Sequence, residues 1–377
     1  TLGLRPSEET DRLVEMVRQE YTVWRGRRPA ANLARYPIEA LFLERFVRLA
    51  RQGGLIAMIV PDGILSNGRL AYLREWLAQR ASARAVVSLP RHIYYRNGAC
   101  AKSSVLLLEK HTGHPAPNIE HRTVMAALED RVSMRRDMAG LVNAFSDIAG
   151  GTRDCAQVSP WLVFVADEIA PGERLDPGYH HPRYAENLRT LRGMPNAVPF
   201  GELIEYTTYG QVGRREFTDV GVRFMTPANM ARSEGLVTGI DLDSPARFVR
   251  EGSWNDPKRS RLRRGDLLLA NSGVGCIGRA AVFLSDEPCQ VSQHINLVRV
   301  RGIEPEYLAV YLQTRFARLQ IDRDKCGVGA CGINFDRIRS ILIPVLPEEK
   351  RRPFVEGYQR LRMVKLVAML EEMIPAC

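Results

Sequence analysis

Apolar positions recur at helical spacing at Leu41, Phe42, Phe46 and Leu49, which predicts an amphipathic helix ended by Gln52-Gly53-Gly54. The pattern then changes. Leu55 to Val60 is a continuous apolar run stopped by Pro61-Asp62-Gly63, as expected of a strand buried on both faces of a parallel sheet. A second helix is predicted over Leu70 to Arg80, a second buried strand over Ala83 to Leu89 before Pro90, and a third over Ser103 to Glu109. Alternating helix and buried strand predicts a partial, doubly wound α/β sheet over residues 1–110. Residues 111–195 read as a connecting segment: a turn at Pro115 to Pro117, a helical stretch from Val124 to Leu141, a loop at Ala149 to Arg153 and a strand from Trp161 to Ala166. Residues 196–347 mix short apolar runs with glycine-rich turns and read as an α+β domain. Glu349 onward reads as one C-terminal helix, apolar at Phe354, Leu361, Val364, Leu366, Val367 and Leu370, with Pro353 near its first turn.

Composition narrows this picture modestly. A chain of 377 residues that is 45% apolar has room for two domains with ordinary cores. A formal charge of +10 suggests a polyanionic partner, although the preference for Arg over Lys can reflect genomic composition. No run is long and apolar enough for a membrane span. The seven cysteines are scattered and none forms a CxxC pair. Reduced structural thiols in a cytoplasmic protein are the expectation, with no zinc site. His180 and His181 are adjacent on an extended segment, so they point to opposite sides and read as structural rather than metal-binding.

Gly273, Gly275 and Gly278 spell GxGxxG, which in a dinucleotide site follows a strand, opens a helix and is answered by an acidic residue about 20 positions on. Here Asp266 to Ala270 reads as the strand, but Arg279-Ala-Ala-Val-Phe-Leu284 reads as a second strand and position 298 is Val. A glycine-rich hairpin turn accounts for the motif.

That turn lies inside a longer series of phrases: GDLLLANSGVGCIGRAAVF from Gly265, VSQHINLVRV from Val291, EPEYLAVYLQ from Glu304 and GVGACGINFDRIRSILIPVLP from Gly327. With VPFGELIEYTTYG from Val198 and GVRFMTPANM from Gly221, they resemble the target recognition domain of type I restriction–modification specificity subunits and of single-chain restriction-methyltransferases. The resemblance covers residues 196–347 in a single copy. It implies double-stranded DNA as partner and one contiguous half-site, or a full site through a dimer. Lys258, Arg259, Arg261, Arg263 and Arg264 form the densest basic run and have the composition for phosphates; a solvated loop is the plain alternative. Arg214 and Arg215 are a second candidate pair. Gln211, Asn229, Asn271, Gln293, His294 and Asn334 sit in or near loops and carry side chains suited to base edges. Gln293 and His294 can equally be polar residues that determine the fold. The terminal helix, residues 348–377, is expected by the same resemblance to face a partner, as a spacer or dimer contact.

The phrases FLERFVRLARQGGLIAMIVPDGILSN from Phe42 and LREWLAQRASARAVVSLPRHIYYRNGACAKSSVLLLEK from Leu73 resemble the second half of the catalytic domain of N6-adenine DNA methyltransferases of the modification-subunit kind. In that family S-adenosylmethionine sits in a glycine-rich loop and an Asn-Pro-Pro-aromatic motif holds the adenine. Neither motif occurs in this sequence, so the expectation is that Thr1 lies shortly after the second and that this chain alone does not transfer a methyl group. The complete enzyme would use S-adenosylmethionine, with the missing half on the same polypeptide or on a partner subunit. The family's base-stacking aromatic falls at Tyr94, with Tyr95 beside it. Asp62 and Asn67 could line the pocket mouth; a cap or turn is the simpler role. ERLDPGYHHPRYAENLRTL from Glu173 resembles the phrase that precedes recognition domains in fused enzymes. Together these resemblances imply a bacterial or archaeal restriction–modification or phage-defence protein. The rival readings are a non-catalytic specificity or assembly scaffold and a regulator that binds DNA without modifying it.

Overall fold

The computed structural model describes residues 12, 15–17, 19–23, 37–90, 102–113, 122–128, 137–167, 169–210, 216–253, 257–273, 275–325 and 332–374. The chain divides into two compact units, 1–182 and 183–377.

In the first unit the helix Ile38–Leu49 leads into β1 (Leu55–Pro61) and the helix Ala71–Ala78 into β2 (Ala81–Ser88). β3 (Ser103–Lys110), β4 (Thr123–Leu128), the helix Met138–Ala149, β5 (Cys155–Val158) and β6 (Trp161–Ala166) follow. The six strands form one sheet in the order β1-β3-β2-β4-β6-β5. β3 runs antiparallel between β1 and β2, with Leu55 opposite Glu109 and Ser88 opposite Ser104. Within this sheet β2 and β4 form the parallel pair. The three early strands are where the sequence puts them, but the expected parallel sheet becomes a mixed one. Apolar runs carry no sign of strand direction, so the reversal of β3 is set by which slot is open. β1 is also an edge strand rather than a strand buried on both faces. Ile56 and Val60 are buried, while Ile59 is 54% exposed.

The helix before β1 is rotated relative to expectation. Ala40, Leu41, Leu43 and Val47 are buried, whereas Phe42, Phe46 and Leu49 form an exposed stripe, with Leu49 68% exposed. Glu44 on its buried face is fully covered. Its carboxylate accepts the backbone N–H of Thr22 at 2.7 Å and of Val23 at 2.8 Å, and pairs with Arg48. The helical stretch expected from Val124 is instead β4, followed by the helix Met138–Ala149. A short apolar run such as Thr123–Leu128 suits strand or helix equally by period alone. With β5 and β6 it belongs to the first sheet, so residues 123–166 extend that unit and form no separate bridge.

The second unit contains β7 (Ala197–Pro199), β8 (Ile204–Tyr209), β9 (Val222–Met225), β10 (Met230–Ser233), β11 (Leu236–Ile240) and β12 (Phe248–Val249). β13 (Leu267–Ala270), β14 (Ala280–Val282), β15 (Cys289–Val291), β16 (Ile295–Val300) and β17 (Leu342–Pro344) complete it. Its central sheet has the order β14-β13-β16-β8; smaller sheets pair β12-β9-β15, β10-β11 and β17-β7. β13 shows why it is central. Leu267 and Leu269 point into one core with Tyr307, Tyr311, Phe200 and Phe354, while Leu268 and Ala270 point into a second with Met225, Val237 and Phe283. Period-two alternation with every residue apolar requires cover on both faces.

Two buried glutamines dock smaller strands by imitating a peptide group. Gln313 Oε1 accepts from Val237 N–H at 2.6 Å and its Nε2 donates to Val237 carbonyl at 3.1 Å. Gln320 holds Leu342 N–H and carbonyl in the same way, at 2.8 and 3.1 Å. The single terminal helix resolves into two, Glu348–Gly357 and Met363–Met373. Phe354, Leu366, Val367 and Leu370 are buried in the unit's own core. The apolar positions expected to meet a partner are therefore largely consumed at home, leaving Leu361 and Val364 exposed.

Candidate nucleic-acid interface

GxGxxG is a hairpin turn. β13 and β14 pair antiparallel, Leu269 opposite Ala280, and Gly273, Gly275 and Gly278 all have positive φ, at 108°, 68° and 78°. A helix N-terminus would not take those angles; a turn does so at low cost only with glycine. The turn sits at one end of the central sheet, where several other loops gather. Asn271 N–H donates to His294 carbonyl at 3.0 Å, Ile333 N–H to Asn271 carbonyl at 2.8 Å and Gly210 N–H to Ser292 carbonyl at 3.3 Å. Tyr209, the last residue of β8, stacks on Phe335 with ring centroids 5.4 Å apart. Gly210 must be glycine here, because a Cβ would lie 1.7 Å from Val291 carbonyl.

This arrangement brings Asn271, Gln293, His294 and Asn334 to one end of the sheet, with roles that differ from one another. Asn271 is a bracket. Its Nδ2 donates to Asn296 Oδ1 at 2.6 Å and to Gln293 carbonyl at 3.1 Å, and its Oδ1 accepts from Ser272 Oγ at 2.7 Å. Asn229 is further from a reading role. It is 1% exposed, caps Thr226 through Oδ1 and spends its amide on the carbonyls of Asp241 and Pro245 at 3.0 and 3.1 Å. A saturated, buried amide has nothing left for a base edge, so the base-reading expectation for Asn229 is corrected to a structural one, whereas Asn271 is half-buried and its Oδ1 accepts one hydrogen bond of two. His294 is exposed, and its Nδ1 meets Ser272 Oγ at 2.7 Å. Gln293 Nε2 lies 3.3 Å from His294 Nε2, while its buried Oε1 accepts no hydrogen bond. Asn334 is exposed and uses Oδ1 to cap Arg337 N–H at 2.9 Å. Ser272 was not singled out in the sequence; its value comes only from the neighbours the turn provides.

The basic run enters β13 from the opposite end, about 13 Å away by strand rise across Leu267–Ala270. Lys258, Arg259 and Arg263 are exposed and in no ion pair among the described residues. Arg261 instead faces Glu251 at 3.3 Å, and Arg264 is held by Leu284 carbonyl and by Asp286 at 3.4 Å. The run is organised by Asp266, 3% exposed, which accepts from Arg263 N–H at 2.8 Å and from both arms of Arg299 at 2.8 and 3.1 Å. Gln211, Arg214 and Arg215 lie outside the described residues, as do Tyr94 and Tyr95.

In the first unit Asp62 is buried at the end of β1, accepts from Ser104 Oγ at 2.8 Å and lies 2.6 Å from Lys102 Nζ. Asn67 caps Arg69 N–H at 3.0 Å. The Glu173 phrase folds back onto this turn. Arg74 donates to Ile64 and Asn67 carbonyls and, from Nε, to Glu173 carbonyl at 2.7 Å. Burial, partly countered by Asp176, draws its pKa down to about 10, so it stays charged at neutral pH. Arg174 and Asp176 form a buried two-armed pair at 2.7 and 2.8 Å. His180 lies 2.6 Å from Arg174 carbonyl and His181 packs beside Phe164. No group of side chains suited to a metal occurs among the described residues. S-adenosylmethionine finds no fit either: among the described residues no glycine-rich loop joins a strand to a helix, and GxGxxG is a hairpin. No described helix is long and apolar enough to cross a membrane.

Residues 22–138 match the sequence model of the family described as N-6 DNA Methylase. No curated protein matches the chain. Among solved structures, the type IIG restriction endonuclease BpuSI aligns at 13% identity and TM-score 0.38, over 98% of this chain and 52% of that one. The HsdS subunit from Thermoanaerobacter tengcongensis aligns at 16% identity and TM-score 0.32, over 52% of each chain. The type I restriction enzyme EcoKI M protein aligns at 21% identity and TM-score 0.21, over 24% of this chain and 19% of that one. The chain thus spans about half the length of the first two, and these scores are too low to establish a common fold along it. The family match is confined to the segment that carries β1 to β4, and there the chain is similar to N-6 DNA methylases.

Proposed function

We propose that this chain binds duplex DNA in a sequence-dependent way through its second unit, as the recognition part of an adenine-N6 methyltransferase of a restriction–modification system. The match of residues 22–138 to N-6 DNA methylases carries the reading, because it ties the first unit to chemistry on a DNA base. The sheet end where Gln293, His294 and Asn334 gather supports the second unit's part in it. His294 and Asn334 are exposed, which presents polar side chains for base edges. Lys258, Arg259 and Arg263 supply uncompensated charge for phosphates.

Methyl transfer needs more polypeptide than these residues. The Asn-Pro-Pro-aromatic motif is absent from the sequence, and the described residues do not fit the methyl donor. The donor-binding half would come from the same gene or a partner subunit. A scaffold reading is favoured by one observation, the exposed stripe of Phe42, Phe46 and Leu49 before β1, which among the described residues is an edge strand. An apolar face next to an edge strand suits assembly.

Selection of bound duplexes from a random-sequence pool at two salt concentrations tests the proposal. Enrichment of a short adenine-containing motif, with binding that weakens steeply as salt rises, is expected. Binding without enrichment refutes sequence reading, and absence of binding at low salt favours the scaffold.

A further inference from the structure

The glycine-rich turn carries an arginine at its far foot. Ala270 N–H donates to Arg279 carbonyl, and Gly278 N–H to Ala270 carbonyl, both at 2.8 Å. Arg279 is thus at the same end of the sheet as Asn271, Gln293 and His294, whereas the basic run is at the other. Its guanidinium is held by Gly275 carbonyl at 3.2 Å and Pro227 carbonyl at 3.3 Å. A second arginine, Arg318 on the helix Arg315–Asp324, donates to Ile277 carbonyl of the same turn at 2.9 Å. A Cβ on Gly278 would lie 2.5 Å from Arg318 Nη1, so guanidinium and turn are in direct contact. A third, Arg232 on β10, is exposed and anchored to Gly235 carbonyl at 3.1 Å. Its hairpin is the one Gln313 pins at Val237.

Arg279 and Arg318 both hold carbonyls of this turn, and the charge of Arg232 is felt at Arg318. Burial lowers the Arg318 pKa, the charge of Asp322 works against that, and Arg232 and Arg279 lower it by smaller amounts. Arg223, Arg261, Arg264 and Arg299 each face a carboxylate. Among the described residues Arg232, Arg279 and Arg318 are in no ion pair. Each is oriented by backbone carbonyls, which take one or two of the five N–H donors a guanidinium offers. Positive charge that is oriented by carbonyls and locked in no ion pair is what a phosphate diester requires.

We propose that Arg232, Arg279 and Arg318 form a phosphate-contact site for the DNA backbone, beside the polar cluster at the turn. The inference rests on the second unit binding DNA and adds where the duplex is gripped. Phosphate contacts set the register of base contacts, so they belong near the side chains that read bases. The run at Lys258 to Arg264 then serves as an outlying contact.

The test measures binding of the full chain to duplex DNA over a salt series. Arg232→Gln and Arg279→Gln should each flatten the slope of log K against log salt by about 0.9 and weaken all sequences alike. Arg279→Lys keeps the charge and should keep the slope. Arg189→Gln, on an exposed helix position, is the control and should change nothing. Arg318 is packed on Gly278, so its replacement can disturb folding, and the exposed Arg232 carries the decision instead. If the unaltered chain binds and both Gln variants keep the control's slope, the site is wrong and the DNA reading stands. If the unaltered chain binds no DNA at low salt, the DNA reading falls and takes the site with it.

Discussion

Replacing Asp266 by Asn should loosen the second unit at the point where the basic run joins its central strand. The carboxylate is 3% exposed and receives three hydrogen bonds, one from Arg263 N–H and two from Arg299. Asn preserves the shape but keeps one acceptor oxygen, and turns an amide donor toward a donor already there. A hydrogen bond to a charged group contributes about 1.5–3 kcal/mol, and breaking a fully buried pair costs about 3–5 kcal/mol. The Arg299 side chain is 22% exposed and rests on Tyr206, so water recovers part of that loss. About 2–4 kcal/mol is expected. Urea unfolding of Asp266→Asn, Arg299→Met and the double variant would measure it, with hydrogen exchange across β13 and β16 locating the effect. The double variant should be more stable than Asp266→Asn alone, because it removes the cation left without a partner. A loss below about 1 kcal/mol for Asp266→Asn, or strictly additive single effects, would refute the reasoning.

Three further outcomes follow from the same structure. Gln313→Met should cost about 2–4 kcal/mol, since it strands the buried N–H and carbonyl of Val237, and should speed exchange of that amide while leaving β13 protected. Burial raises the Asp176 pKa, but the hydrogen bond and charge of Arg174, with Lys102 and His180, outweigh it and leave the carboxyl below its usual value. Its contribution is therefore present above the ordinary carboxylate range and lost as pH falls through the lowered value; Asp176→Asn should flatten the acid limb of the first unit's stability, and an unchanged limb would remove Asp176 from that role. Burial pushes the Cys289 thiol up to about 11, so at pH 8 an alkylating reagent should label the exposed Cys155 and spare Cys289 until the second unit unfolds.

Much of the local structure was legible from residue order. The helix before β1, the first three strands and the glycine turn all lie where period and turn chemistry put them. Their partners were less legible. Thr123–Leu128 reads as either element, and whether it is strand or helix was decided by β2 and β6 waiting on either side. The candidate site divides in the same way. Residue type alone nominated Asn229, Asn271, Gln293 and His294 together, yet burial and saturation separate Asn229 from the others. Arg232, Arg279 and Arg318 drew no notice in the sequence, because they are dispersed and none stands in a charge run.

By itself, the sequence determined what depends on neighbours a few positions away: where strands start and stop, that Gly273 to Gly278 must turn, and that β13 needs cover on both faces. Backbone sterics and short-range periodicity act locally, so they are written locally. Tertiary structure alone decided the direction of β3, the exposure of the Phe42 stripe, the inward turn of the terminal helices and which arginines keep their charge uncompensated. Each of these depends on the groups that arrive from distant segments, and a carboxylate or a carbonyl within reach of a guanidinium cannot be read from the residues beside it.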